Sequence, residues 1–144
     1  RTIAMKDFVL GPYANSLNYN EIAIEAVIPA PKGVARGGYL KLERRVGDFA
    51  TASVAVALDM SGDTVLNAGF ALAGVGGKTI DANEAASALI GQKLTEATIA
   101  KTAQLVAALA EPRTDHRGSA EYKRHIVETF VKRILVANSA QKVA

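Results

Sequence analysis

The stretch Thr51-Ala52-Ser53-Val54-Ala55-Val56-Ala57-Leu58-Asp59-Met60-Ser61-Gly62-Asp63-Thr64-Val65-Leu66-Asn67-Ala68-Gly69-Phe70-Ala71-Leu72-Ala73 decides the fold class. Residues 51–60 are rich in Ala and Val on both faces, as a strand covered on both sides requires, so a central strand is expected. Ser61-Gly62-Asp63 has the chemistry of a tight turn, and residues 64–73 therefore return as its antiparallel partner.

Upstream, residues 38–44 read as another strand, with Tyr39, Lys41 and Glu43 on one face and Leu40, Leu42 and Arg44 on the other. Before a flexible loop over residues 33–38, Ile22, Ile24, Ala26 and Ile28 alternate, which predicts a further strand over 21–28, ended by Pro29-Ala30-Pro31. Residues 1–20 mix single apolar residues with turn formers and read as a lead-in or tail.

Downstream of Gly77 the apolar period changes from two to 3.6. Asp81 and Glu84 stand at capping-box spacing before a short helix stopped by Gly91. Thr95 caps a second helix with Ile99, Thr102, Val106 and Leu109 on one stripe, ended at Glu111-Pro112. Ser119 opens a third, in which Tyr122, Ile126, Phe130 and Ile134 form a row flanked by Val127, Val131 and Leu135. Strands followed by helices predict an α+β fold: an antiparallel sheet of about four strands, then three helices packed on one face.

Composition narrows the functions. The 144 residues are 49% hydrophobic, enough for one substantial core. Seventeen basic against fourteen acidic residues leave a net charge of +3, too small for a nucleic-acid-binding domain. Without cysteine, the chain offers no disulfide, thiolate nucleophile or thiolate ligand for zinc or iron–sulfur, so such chemistry would belong to a partner. The apolar runs fall well short of the ~20 residues of a membrane span. The first residues lack the pattern of a secretory leader, so a cytoplasmic setting is expected, and an opening at Arg1 suggests a piece of something longer.

Several motifs stop short of a site. Gly74-Val75-Gly76-Gly77-Lys78-Thr79 lies between a strand and a helix like a phosphate loop, but Leu72 stands where the first glycine is needed, and Thr79 stands where a dinucleotide fingerprint ends in glycine. His116 and His125 lack a ligand set at helical spacing, so no metal site is indicated. No Gly-x-Ser-x-Gly elbow is present, and Glu21, Glu25, Asp59 and Asp63 read as strand-end or solvent-facing carboxylates, so no catalytic residue is assigned.

The informative segment is Tyr39-Leu40-Lys41-Leu42-Glu43-Arg44-Arg45-Val46-Gly47-Asp48-Phe49-Ala50, in which cations, carboxylates and an aromatic residue lie between two strands. As bare chemistry it fits a solvated charge cluster with Phe49 as a core anchor. Its pattern, Tyr-x-Lys-x-x-Arg-Arg-x-x-Asp-Phe-Ala, resembles the flavoprotein subunit of the molybdenum hydroxylases, the family that includes aerobic carbon monoxide dehydrogenases and xanthine dehydrogenase. Asp7-Phe8, Gly11-Pro12-Tyr13, Leu17, Glu21-Ile22 and Ile28-Pro29 resemble that family's approach to the same domain. Asp115-His116-Arg117-Gly118-Ser119-Ala120-Glu121-Tyr122-Lys123 resembles its lead into the last helix.

The resemblance implies the C-terminal α+β domain of an FAD-binding subunit over residues 21–144, with residues 1–20 as the lead-in from the FAD-binding portion. The family's glycine-rich segments that wrap the FAD pyrophosphate lie in two N-terminal lobes, so this chain alone should hold FAD poorly. By position, Phe49 falls where relatives place an aromatic against the flavin and Lys41 where they place a lysine near the ring system, while Asp48, next to Phe49, is expected to orient the loop or to temper that charge. Some relatives carry a tyrosine at the Phe49 position, with a hydroxyl that Phe49 lacks. The implied partners are the N-terminal FAD-binding portion, a small subunit with two [2Fe-2S] clusters and a large subunit with the molybdenum cofactor, assembled as a dimer of heterotrimers. Two other classes stay open: a free-standing protein-interaction domain of the same fold, and a phosphate- or nucleic-acid-binding module using Arg36, Lys41, Arg44, Arg45 and Lys78. Net charge argues against the second.

Overall fold

The computed structural model describes residues 1–139. Its centre is a four-stranded antiparallel sheet in the order β3 (Val34–Leu42), β4 (Ala52–Ser61), β5 (Thr64–Ala73) and β6 (Ile80–Asp81). The β4–β5 hairpin turns at Ser61-Gly62-Asp63-Thr64, with Gly62 at φ +56°. β4 lies between two partners, as its two-sided Ala/Val pattern predicted.

One sheet face is apolar because Ala52, Val54, Val56, Leu58 and Met60 on β4 meet Val65, Ala68, Phe70 and Leu72 on β5. Helices α3 (Glu96–Ala108) and α4 (Ala120–Ser139) close that core with Ile99, Ala103 and Val106 and with Val127, Val131 and Leu135. On the opposite face Ala55 of β4 pairs with Ala71 of β5 and, on its other side, with Tyr39 of β3. No helix among the described residues is long and apolar enough to cross a membrane.

The lead-in is a short helix, α1 (Met5–Phe8), and a small hairpin of β1 (Val9–Gly11) and β2 (Ala14–Asn15). Arg1 closes it with two hydrogen bonds to the Glu21 carboxylate, which also accepts the Asn18 N–H. These bonds, that of Arg1 foremost, hold the Glu21 carboxyl down at about 2.

Several local expectations change. Residues 21–28 are extended but unpaired, with Ile22, Ile24 and Ile28 exposed at 84%, 93% and 87%. Alternation records an apolar stripe, whereas a strand also needs a free edge, and Asn138 of α4 occupies that of β3 at Gly37. The supposed loop over 33–38 instead runs almost entirely within β3: Gly38 lets α4 approach, since a Cβ there would stand 3.1 Å from Ile134 Cγ2.

The helix expected after Asp81 shrinks to α2 (Asn83–Ala86). Residues 80–83 stay docked on β5 because Ala82 N–H donates to the Phe70 carbonyl and Phe70 N–H donates to Asn83 Oδ1. Asp59, read as a strand-end or solvent-facing carboxylate, stands near the end of β4 but is buried, and its carboxylate accepts the N–H groups of Lys32 and Gly33.

α3 starts as the sequence indicates, with Thr95 and Thr98 capping each other reciprocally. α4 opens at Ser119, whose Oγ accepts the Tyr122 N–H. Its buried stripe is rotated from the expected row: Tyr122 is exposed, while Lys123 lies beneath the surface in line with Val127 and Val131.

Candidate functional site

The segment from Tyr39 to Ala50 leaves the sheet at Leu42, forms a surface loop and returns at Ala52. Thr51 N–H donates to the Leu42 carbonyl and closes the hairpin. Asp48 N–H donates to the Arg45 carbonyl, and the turn this makes places Gly47 at φ +86°, a conformation that glycine adopts without a Cβ penalty.

The structure brings together the three residues singled out in the sequence. Lys41 Nζ donates to the Asp48 carbonyl at 2.6 Å and pairs with the Glu43 carboxylate at 2.5 Å. Asp48 Oδ1 accepts the Phe49 N–H at 2.7 Å. Phe49 is 73% exposed, so it is no core anchor: both its backbone polar groups are held while its ring stands in solvent.

The missing member of the cluster was Arg117, 68 residues from Phe49 in sequence. Its Nη1 donates to the Phe49 carbonyl at 2.8 Å and its Nη2 to Asp48 Oδ1 at 3.2 Å. The stretch from Asp115 to Lys123 stands out as a motif in the sequence, but nothing local in it announces that its arginine reaches another hairpin.

The turn that carries Arg117 is itself fixed. Asp115 and Gly118 exchange backbone hydrogen bonds, and Asp115 Oδ1 accepts the Arg117 N–H. Lys123, only 3% exposed, bridges the Asp115 carboxylate at 2.7 Å and the Arg113 carbonyl at 2.8 Å. The Lys123 ammonium, and after it the Arg117 N–H, hold the Asp115 carboxyl below its ordinary range.

The residues suit a planar ring system as a stacking partner: an aromatic face is open to solvent and its backbone cannot swing away. They suit it less as a source of bare positive charge, because Glu43 offsets the Lys41 ammonium. Among residues outside this cluster, His125 lies on the exposed side of α4 against Thr129, and His116 is exposed in the Asp115 turn. Val75 of the glycine-rich loop is buried and its carbonyl accepts the Glu111 N–H, while a Cβ on Gly74 would stand 2.6 Å from the Ala50 carbonyl oxygen. That loop joins the sheet to the helical layer. A cleft of about 850 Å³ opens between Lys78 and the lead-in, and none of Lys41, Asp48 or Phe49 lines it.

Comparison with known proteins bears on the family and the fold. Residues 38–137, which include the Phe49 hairpin and nearly all of α4, match the model of the CO dehydrogenase flavoprotein C-terminal domain. The carbon monoxide dehydrogenase medium chain of Hydrogenophaga pseudoflava is 36% identical over 137 residues, covering 95% of this chain and 48% of that protein. The glyceraldehyde dehydrogenase medium chain of Sulfolobus acidocaldarius is 33% identical over 130 residues, covering 90% and 46%. The structure of reconstituted CO dehydrogenase from Oligotropha carboxidovorans superposes with a TM-score of 0.89 at 32% identity, covering 99% of this chain and 50% of that one. The chain thus spans about half the length of the relatives it matches. With a family match over most of its length and the same fold as the solved relative, this chain belongs to the CO dehydrogenase flavoprotein C-terminal domain family.

Proposed function

We propose that the chain is the C-terminal portion of the FAD-binding subunit of a molybdenum hydroxylase complex, an oxidoreductase in which it covers the flavin. When bound, FAD supplies the relay of electrons from iron–sulfur clusters to an external acceptor. The observation that carries the proposal is Phe49, exposed at 73% yet fixed at both backbone polar groups. An aromatic side chain in that state is suited to meet another flat surface.

In this reading Phe49 lays its ring against the isoalloxazine and shields it from water. Lys41 brings positive charge toward the ring system, damped by Glu43, and holds the Asp48 carbonyl. Asp48 orients the loop by receiving the Phe49 N–H. No bond-breaking group is assigned to this chain.

The exposed row of Ile22, Ile24 and Ile28 supports a contact with the N-terminal FAD-binding portion. The remaining proposed partners are the iron–sulfur small subunit and the molybdenum-binding large subunit, in a cytoplasmic dimer of heterotrimers.

The test is mild purification from the native host, with flavin absorption recorded beside the intact mass of every co-purifying polypeptide. Stoichiometric FAD with small and large partner subunits is expected. A colourless chain without an FAD-binding polypeptide beside it would overturn the redox role in favour of a protein-interaction domain. In the complete complex, Lys41→Ala and Phe49→Ala are each expected to shift the flavin midpoint potential or the rate of acceptor reduction.

A further inference from the structure

We propose that Arg117 is a positioning residue for the flavin-facing loop, and that Lys123 is the buried anchor from which it acts. The inference rests on the proposed role of Phe49 and adds a residue outside that hairpin.

Three side chains tether the Asp48–Phe49 unit, besides the backbone bond from the Asp48 N–H to the Arg45 carbonyl. Two are local: the Lys41 ammonium on the Asp48 carbonyl and the Asp48 carboxylate on the Phe49 N–H. Alone they would stiffen the loop while leaving it free to move as a body on the end of its hairpin. The third comes from the helical layer, where Arg117 spans the unit with one N–H on the Phe49 carbonyl and another on the Asp48 carboxylate. A planar guanidinium can make both bonds at once, whereas an ammonium at the end of a lysine offers a single point.

A clamp transmits position only if its own base is fixed. The Arg117 N–H is held by Asp115, and Asp115 by Lys123, whose ammonium also takes the Arg113 carbonyl. Lys123 precedes Val127 and Val131 on the stripe of α4 that faces the core. The sequence of contacts from that core to the backbone of Phe49 is therefore continuous. An ordinary surface ion pair explains less, because one end of the fork is a backbone carbonyl and the Arg117 side chain is only 20% exposed.

The test compares Arg117→Met, Arg117→Lys, Phe49→Ala and the double variant Arg117→Met with Phe49→Ala in the FAD-loaded complex. Visible circular dichroism of the flavin reports the ring's surroundings, and hydrogen exchange at the residue-49 amide reports the loop. Arg117→Met is expected to speed that exchange about tenfold, from loss of a charge-assisted tether. It is also expected to move the flavin dichroism in the direction of Phe49→Ala, with Arg117→Lys intermediate.

In the Phe49→Ala background, Arg117→Met should change the dichroism no further, since a residue acting through Phe49 has nothing left to act on. Additive changes overturn the positioning role. Altered dichroism in Phe49→Ala beside unaltered dichroism in Arg117→Met also overturns it, and leaves the proposed function standing. Unaltered dichroism in Phe49→Ala overturns both.

Discussion

The Asn138 side chain pairs with both backbone polar groups of Gly37: its Oδ1 accepts the Gly37 N–H at 3.0 Å and its Nδ2 donates to the Gly37 carbonyl at 3.2 Å. Asn138 thus stands in for a neighbouring strand at the open edge of β3, which would otherwise present those groups for pairing with another chain. Asn138→Leu keeps the bulk and leaves both groups without their partner, at a cost of about 2 kcal/mol. Denaturant unfolding should show a lower midpoint, and size-exclusion chromatography more self-association. A variant as stable as the parent would mean that water satisfies the edge equally well.

The other requirement at this edge is space. A Cβ on Gly38 would meet Ile134 Cγ2 at 3.1 Å, so Gly38→Val forces α4 outward and should cost about 1–3 kcal/mol. If the crowding is the cause, Ile134→Ala relieves it. The double variant should then lose about 1 kcal/mol less than the sum of the two single losses, as measured by denaturant unfolding. Strict additivity would locate the cost of Gly38→Val elsewhere.

What was legible in the sequence follows from which interactions are local. The β4–β5 hairpin and the Thr95 cap are specified by residues within a few positions of one another, and they fold as they read. Residues 21–28 alternate as a strand does, yet alternation describes a face and says nothing of a partner. The spacing of Asp81 and Glu84 suits a helix start, but Asn83 is claimed by Phe70, thirteen residues earlier. Lys123 looks like a solvent position until the turn before α4 supplies Asp115 and a carbonyl to bury it. Lys41, Asp48 and Phe49 could be picked out as one segment, whereas Arg117 joins them only through tertiary structure.

The Lys123–Asp115 pair should leave a mark in acid. The folded Asp115 carboxyl titrates below its ordinary range, chiefly because of the Lys123 ammonium and then the Arg117 N–H. The pair's stabilisation is therefore fully present above the unfolded value of about 3.9 and is lost as pH falls through the lower folded value. A carbon-detected NMR titration should place the Asp115 midpoint under the ordinary range in the parent and move it upward in Lys123→Met. An unmoved midpoint would assign the depression to the Arg117 N–H and the nearby His116 instead of Lys123. Asp115→Asn should make stability less sensitive to pH over the same window.

Two phenylalanines should separate folding from recognition. Phe130 lies in the core on α4, and Phe130→Ala opens a cavity expected to cost about 3–5 kcal/mol. Phe49 buries little of its ring in this chain, and its backbone bonds do not depend on the side chain, so Phe49→Ala should shift stability by no more than about 0.5 kcal/mol. Thermal unfolding of the chain by itself checks both values. If Phe49→Ala is nearly silent there but lowers the stability of the FAD-loaded complex, the ring's partner lies outside this chain, as the proposed flavin contact requires. A large loss already present in the isolated chain would instead make Phe49 part of its own core, and the case for a flavin-facing aromatic would fall.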